Sequence, residues 1–189
     1  MKQLRLPIFN SKIKYYNLRI VPSEVVFNEV MQFKKQFEYL HGKLPLSGSK
    51  AHITLAAFKM NSKYQDDLIQ VFKQLSKRAT FKLSISGFDA FEKSRTLYLK
   101  VSKSNSLETI QQDVQLIHNE QFKRKLKSLV IPDKPHITIS KAKSRKMLDE
   151  SLKHFQKYDY SKQISVDQIT LVSRSKYKTW DWEHHIGLS

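Results

Sequence analysis

Two short segments of the chain repeat one pattern of chemically useful residues: histidine, an aliphatic residue, threonine and a second aliphatic residue. The copies are His52-Ile53-Thr54-Leu55 and His136-Ile137-Thr138-Ile139, separated by close to half of the sequence. In a β-strand successive side chains alternate between faces, so each histidine shares a face with its threonine while the aliphatic residues face a core. One copy is typical of a structural strand histidine, but two matched copies favour a shared site.

The two copies would form a chemically complete set if they faced one another across a cleft. Two imidazoles on opposite sides of a scissile bond can act as general base and general acid, because imidazole titrates near neutral pH. Two threonine hydroxyls can hold phosphate oxygens as charge develops on them. The pattern requires no carboxylate or metal ligand. It therefore suits hydrolysis of a phosphodiester, with water activated by one histidine and the departing oxygen protonated by the other.

The elements that must position these residues also repeat. Hydrophobic periodicity predicts a first strand at 14–21, and then twice the order helix, His-Thr strand, helix, strand, strand. Helix starts are expected near Pro22, at Asn61 or Ser62, at Ser104 or Ser106, and at Ser144. The final strand pairs are expected at 80–91 and 95–101, and at 164–174 and 184–188.

We therefore expect an α+β fold: a bilobal, pseudo-twofold duplicated arrangement in which two antiparallel-rich sheets flank a central cleft, with helices outside. Lobe one would span 22–102 together with the N-terminal strand, and lobe two would span 103–189. No linker rich in Gly, Ser or Pro separates the halves, so residues 1–189 are expected to form a single domain.

Composition limits the classes of partner. The formal net charge of +17 favours a phosphate-bearing partner, although a general lysine bias would also produce it. The absence of cysteine excludes disulfides, thiolate chemistry and cysteine zinc sites, and it is compatible with a cytoplasmic location. No apolar run approaches the length of a membrane span, and Met1–Pro7 lacks the apolar stretch of a signal peptide.

The paired segments, their separation, the element order and the closing segment Asp167–Ser175 resemble the 2H phosphoesterase superfamily, including its 2′-5′ RNA ligase and cyclic phosphodiesterase members. The resemblance implies metal-independent, cofactor-free chemistry on nucleotide phosphodiesters, usually a 2′,3′-cyclic phosphate opened to a 2′-phosphate. It makes His52 and His136 catalytic and Thr54 and Thr138 substrate-binding. By analogy His136 would activate water and His52 would protonate the leaving 3′ oxygen, although the residues alone do not separate these roles.

Residues near the segments are secondary candidates. Ala56 and Ser140 lie four positions after the histidines and are expected to line the same face, where their small size would leave room for substrate. Lys50 and Lys134 precede the segments and are candidates for phosphate contacts, although lysines are frequent throughout this chain.

The loop 175–183 is basic and aromatic. Tyr177, Trp180 and Trp182 could stack a base, as aromatic residues do for single-stranded nucleotides, or could cover a hydrophobic edge. Tyr177 is retained as a candidate substrate contact. His184 and His185 are adjacent in a predicted strand, so they face opposite sides and are poorly placed to share a metal.

The leading hypothesis is a metal-independent phosphodiesterase acting on a nucleotide or RNA 2′,3′-cyclic phosphate, or on a related 2′-5′ phosphodiester. One alternative is a non-catalytic basic module that binds RNA or nucleotides, and another is a 2′-5′ RNA ligase. In each case the expected partner is RNA or a nucleotide, with no membrane and no metal, and the protein is expected to be a cytoplasmic monomer.

Overall fold

Residues 12–189 are described by the computed structural model, so the N-terminal segment 1–7, expected not to be a signal peptide, lies outside the described part. The main elements, in chain order, are β1 (Ile13–Ile20), α1 (Glu24–His41), β2 (Ile53–Asn61), α2 (Gln65–Phe72), β3 (Phe81–Phe91), β4 (Thr96–Val101), α3 (Asn105–Ile117), β5 (Leu126–Val130), β6 (His136–Lys141), α4 (Arg145–Phe155), β7 (Ser161–Val166), β8 (Gln168–Arg174) and β9 (Trp182–Gly187). Short 3-10 turns flank α2, and a π-helical turn follows α3.

The strands form an antiparallel sheet in the order β7-β3-β4-β6-β2-β1-β8-β9, with β5 pairing β2 off this path. The sheet is curled into a half-barrel. Its two halves, β7-β3-β4-β6 and β2-β1-β8-β9, meet at a single paired position, where Ile53 opposes Ile137. The expected α+β class with antiparallel sheets is thereby confirmed.

The two halves of the sequence do not coincide with the two halves of the sheet, which corrects the expected lobes 22–102 and 103–189. Each half-sheet takes strands from both parts of the chain. The helices follow the same exchange, since α1 packs against β6 and α3 against β2. The exchange arises because β4, with β3 beside it, pairs with β6 rather than with β2, and because β8 pairs with β1. The segment predicted as one strand at 164–174 is divided by the same exchange. It is two strands separated at Asp167, and they pair at opposite sides of the sheet.

Local signals located most of the elements. The hydroxyls of Ser104 and Ser144 accept hydrogen bonds from the backbone N–H groups of Leu107 and Met147, so both predicted helix caps are confirmed. The edge strand β5 was not predicted. Its residue Ser128 has a positive φ of 53°, and its mostly exposed side chains lack the alternation that marks a strand.

Both central strands carry a β-bulge at equivalent positions. On β2 the register against β1 steps from Thr54 to Ala56, and on β6 the register against β4 steps from Thr138 to Ser140. The skipped residues are buried, and so are Ala56 and Ser140 after them. The expectation that Ala56 and Ser140 share a face with the histidines is therefore wrong, because a bulge shifts the two-residue alternation by one position.

A buried lysine ties the loop before β2 to the second central strand. Lys34 of α1 is only 1% exposed. Its Nζ donates to the carbonyl of Leu46 at 3.1 Å, to Oγ of Ser49 at 3.2 Å and to the carbonyl of Ile139 at 3.0 Å. Since Ile139 is the bulged residue of β6, Lys34 links the loop leading to His52 with the strand that carries His136. Burial lowers the pKa of Lys34 from 10.5 to about 8.

Lys34 should make stability depend on pH. Between pH 8 and 10.5 the unfolded chain retains a proton that the folded protein has released, so stability gained from this residue rises with pH. We expect the free energy of unfolding of the wild type, minus that of Lys34→Met, to increase by about 3 kcal/mol from pH 7 to pH 10.5. Urea unfolding across this range measures it, with the exposed Lys35→Met as matched control. A difference that stays flat with pH would contradict this account of Lys34.

Candidate active site

The strand register brings the two repeated segments together. β2 and β6 are antiparallel and are paired at Ile53 and Ile137, so counting outward from this one pair places the flanking positions across from one another. These pairs are His52 with Thr138 and Thr54 with His136. Residues opposite each other in an antiparallel pair project from the same face. All four are half-buried, whereas Ile53, Leu55, Ile137 and Ile139 are fully buried beneath them.

The two imidazoles are diagonal neighbours in this arrangement. In antiparallel sheets such neighbours lie about 7–8 Å apart, a spacing suited to one group held between two side chains. The positive charge of a protonated His136 also lowers the pKa of His52, so the two rings interact electrostatically. The arrangement therefore places two imidazoles and two hydroxyls around one position on the sheet.

Both histidine rings are held in the same way. Nδ1 of His52 lies 2.8 Å from the carbonyl oxygen of Lys50, and Nδ1 of His136 lies 2.8 Å from that of Lys134. A carbonyl only accepts, so each Nδ1 carries the hydrogen and each Nε2 is left with its lone pair in the neutral ring. The backbone of Lys50 and Lys134, rather than their side chains, thus provides the contact to the histidines.

Electrostatics keep both imidazoles neutral in the free protein at pH 7. Burial lowers the pKa of His52 to about 4, opposed by the Lys50 carbonyl and reinforced by the charges of Arg19 and Lys34. Burial also lowers the pKa of His136, opposed by the Lys134 carbonyl. A bound anion would favour the protonated form of each ring and raise both pKa values. The site therefore suits a negatively charged ligand whose binding is accompanied by protonation of an imidazole.

Asn17 orients one of the two hydroxyls. Its Nδ2 donates to Oγ1 of Thr54 at 3.2 Å, and the Asn17 side chain is only 8% exposed. With its oxygen engaged as an acceptor, the Thr54 hydroxyl can direct its own hydrogen elsewhere. A phosphate oxygen above the sheet is a suitable acceptor.

The approximate twofold symmetry of the site is broken by the strands on either side. On β1, Arg19 opposes Thr54, whereas on β4, Tyr98 opposes Thr138. These are equivalent positions relative to the two bulges. One side of the site therefore presents a guanidinium and the other side an aromatic ring.

Tyr98 belongs to an aromatic group around His136. Its hydroxyl donates to Oδ2 of Asp89 at 3.0 Å, and burial raises the pKa of Tyr98 to about 12. Phe91 stacks on Tyr98 with ring centroids 4.1 Å apart. Both rings meet His136 edge-on, at 4.8 Å for Phe91 and 5.3 Å for Tyr98. This packing restricts the orientation of the His136 ring.

A cleft of about 680 Å³ opens on the other side, next to His52. It is lined by Arg19, by the segment 48–50 and by the loop between β8 and β9. Of the three loop aromatics, Tyr177 is 86% exposed at the rim and Trp180 is 36% exposed. Trp182 packs against the hydrophobic core. All three line the cleft, and Trp182 in addition covers the hydrophobic core.

The remaining predicted positions lie away from the cleft. Ser140 is fully buried, and its hydroxyl donates to the carbonyl of Pro45 at 3.4 Å. His184 stacks against Trp182, whereas Nδ1 of His185 lies 3.2 Å from Oγ1 of Thr170 on the next strand. Within residues 12–189 no group of three or more His, Cys, Asp or Glu side chains could hold a metal ion, and no helix is long and apolar enough to span a bilayer.

Two residues of the site, Asn17 and Arg19, were not identified from the sequence. They lie two positions apart on β1, and so on one face of that strand. A polar residue and a cation among the apolar residues at the buried end of a strand are a usable signal. Interpreting it requires the knowledge that β1 pairs directly with β2.

Comparison with known structures identifies the fold. LigT of E. coli, solved in complex with 3′-AMP, superposes with a TM-score of 0.60 at 14% identity, covering 94% of this chain and 97% of LigT. The protein TT0787 of Thermus thermophilus gives a TM-score of 0.58 at 18% identity, covering 93% and 95%. A structure described as a phosphoesterase gives 0.55 at 14% identity, covering 93% and 96%. At these identities the likeness concerns the fold.

The sequence itself supplies the family. No curated protein matches the chain significantly. A family profile described as the 2′-5′ RNA ligase superfamily, however, matches residues 22–178, which include both His-Thr segments and most of the sheet. The chain therefore belongs to the 2′-5′ RNA ligase superfamily of 2H phosphoesterases.

Proposed function

We propose that the protein hydrolyses a nucleotide or RNA 2′,3′-cyclic phosphate to the 2′-phosphate, without a metal ion, by general acid-base catalysis at His52 and His136. The observation that carries the proposal is the matched pair of imidazoles, each with Nδ1 bound to a backbone carbonyl at 2.8 Å and Nε2 left free. Family membership and the basic charge of the chain support it.

The proposed step uses the four side chains as follows. The phosphate oxygens accept hydrogen bonds from Thr54 and Thr138, which stabilise the charge that builds in the transition state. A water molecule gives a proton to one neutral imidazole and its oxygen bonds to phosphorus. The bond from phosphorus to the 3′ oxygen breaks, and the other imidazole, protonated, supplies the proton that this oxygen needs.

The charges around the histidines support one assignment of roles. Burial, together with the charges of Arg19 and Lys34, lowers the pKa of His52 to about 4, which makes its protonated ring the stronger proton donor of the pair. His136 is surrounded by aromatic rings, and its pKa is lowered mainly by burial. His52 as acid and His136 as base agrees with the roles that the family resemblance implies. The anionic substrate favours the protonated His52 that this assignment requires.

Loss of either imidazole should abolish turnover while preserving the fold. General acid-base groups contribute roughly 10²–10⁴-fold each, so His52→Ala and His136→Ala should lose at least 10²-fold in kcat. The assay is hydrolysis of nucleoside 2′,3′-cyclic phosphates in excess EDTA, with His118→Ala as the matched histidine control. Full activity in either variant, or an inert wild type on a broad nucleotide panel, would contradict the proposal.

The same variants separate the alternatives. A non-catalytic RNA-binding module would show salt-sensitive RNA binding that survives loss of both histidines, with no turnover in the wild type. A ligase would join RNA ends in a reaction that needs the same two histidines. Incubation with an RNA bearing a 5′-hydroxyl and a 2′,3′-cyclic phosphate therefore belongs in the assay.

The hydrogen bond from Asn17 to Thr54 should help to stabilise the negative charge of the transition state, because it leaves the hydroxyl hydrogen of Thr54 free for a phosphate oxygen. Asn17→Asp would accept the hydrogen of the Thr54 hydroxyl and place a negative charge beside the phosphate. We expect kcat/KM to fall by about 10²-fold in Asn17→Asp, because removal of one transition-state donor costs on this order. Asn17→Leu should fall less, since Thr54 then keeps its hydrogen. Thr54→Ser should retain most activity and Thr54→Val should not. Equal losses in the Asp and Leu variants would argue against this role of Asn17.

Binding of a phosphodiester should be accompanied by proton uptake. The free His52 has a pKa of about 4, and an adjacent anion raises it. At a pH between the pKa of free His52 and its higher pKa in the complex, the complex binds more protons than the free protein. The affinity should therefore rise as the pH falls from 7 towards 5. A deoxydinucleotide is a suitable probe, because its phosphodiester does not titrate here. Calorimetry in buffers of different ionisation enthalpy counts the protons, and His52→Gln should reduce the uptake. Affinity independent of pH in the wild type would exclude this coupling.

A further inference from the structure

Arg19 is a buried cation whose part in the proposed acid-base step is limited to its charge beside His52. Its side chain is 4% exposed, yet it lines the cleft beside His52. Among the described residues its Nε has no hydrogen-bond partner, and no ion pair to Arg19 is formed. Burial lowers the pKa of Arg19, and the charge of Glu183 opposes this only from a distance. A buried guanidinium without a partner is unfavourable unless something else compensates it, which marks this position as a ligand contact.

A second guanidinium lies in the same cleft. Nε of Arg174 is likewise buried without a partner, and its Nη1 donates to the carbonyl of Lys178 at 3.1 Å. Trp180 lies against both groups, with Cζ of Arg174 4.6 Å and Cζ of Arg19 5.8 Å from the ring centroid. Stacking on an indole holds the guanidinium plane and leaves its N–H edge free for an anion. Trp180 therefore fixes two anion-binding groups on one wall of the cleft.

The charge of the cleft is positive in balance. Its lining includes four cationic side chains, Arg19, Lys50, Arg174 and Lys178, and two carboxylates, Asp181 and Glu183. Neither carboxylate forms an ion pair with these cations in the described structure, since Glu183 contacts His185 instead. Both guanidinium groups are thus available to a negatively charged ligand.

The position of the pair relates it to the reacting phosphate. Arg19 of β1 opposes Thr54 of β2. Arg174 lies on β8, which pairs with the other side of β1, and it opposes Tyr15 there. The two cations therefore extend away from the His-Thr residues on the His52 side. On the His136 side the equivalent position is the neutral Tyr98. An anion bound by Arg19 and Arg174 would lie beside the reacting phosphate and distinct from it.

We infer that Arg19 and Arg174, held by Trp180, bind a second phosphate of the substrate, adjacent to the one that reacts. This inference rests on the proposed function and narrows its substrate class. The preferred substrate carries at least two phosphates: an RNA end with a phosphodiester before the 2′,3′-cyclic phosphate, or a cyclic nucleotide with a 5′-phosphate. A nucleoside 2′,3′-cyclic phosphate alone leaves the guanidinium pair unoccupied.

Three substrates test this. Adenosine 2′,3′-cyclic phosphate has one phosphate, its 5′-phosphorylated form has two, and the dinucleotide ApA ending in a 2′,3′-cyclic phosphate has an internal phosphodiester. Wild type should show a kcat/KM about 10–100-fold higher for at least one of the two-phosphate substrates, and which one identifies the source of the second phosphate. In Arg174→Met and Arg19→Met that preference should fall to within about threefold. Arg124→Met, an exposed arginine outside the cleft, should keep it.

Binding provides a readout that does not depend on turnover. Deoxyadenosine 3′,5′-bisphosphate should bind wild type at least tenfold more tightly than deoxyadenosine 3′-phosphate, and the ratio should disappear in Arg174→Gln. Arg174 is half-exposed, so its variant keeps the test valid if Arg19 variants fail to fold. Arg19→Lys should keep only part of the preference for a second phosphate. Turnover without any preference for a second phosphate, or equal loss on all three substrates, would overturn the subsite and leave the proposed function standing. If nothing is hydrolysed, the proposed function fails and the binding ratio alone decides the subsite.

Discussion

The single pairing of Ile53 with Ile137 is the contact on which the candidate site depends. It joins the two halves of the sheet and sets which residues of the two segments oppose each other. A slip of one residue by either strand would turn the histidine and the threonine of that strand into the core. The bulges at Leu55 and Ile139 make such a slip unfavourable, because each would have to move with its strand. Burial of the aliphatic residues beneath the site is thus what holds the polar residues above it.

The same burial explains the electrostatic character of the site. Desolvation by burial is the main cause of the lowered pKa of His52, and the nearby positive charges of Arg19 and Lys34 add to it. A bound anion offsets both effects, so in the proposed reaction binding of the substrate would itself favour the protonated imidazole that the step requires. The carbonyls of Lys50 and Lys134 limit the pKa depression and fix the rings, which leaves the Nε2 atoms as the groups that exchange protons.

Local patterns predicted what local forces determine. The alternation in the two segments identified their strands, and Ser104 and Ser144 marked two helix starts, because capping acts within one turn. Long-range pairing was beyond these signals. The segment 164–174 has continuous strand character, and only partners far along the chain divide it at Asp167. The burial of Ser140 follows from a bulge that its own sequence does not announce. Asn17 and Arg19 became site residues only through the pairing of β1 with β2.

The duplicated segments create equivalent surroundings for two histidines, but hydrolysis of a phosphodiester needs two different roles. The difference cannot arise within the segments, since their residue types and hydrogen bonds match. It arises from the neighbouring strands, which place Arg19 on one side and Tyr98 on the other. A cation beside His52 strengthens it as a proton donor, and aromatic packing around His136 orients it without adding charge. Under the proposed function, the strands outside the repeat would therefore determine the direction in which a substrate lies across it.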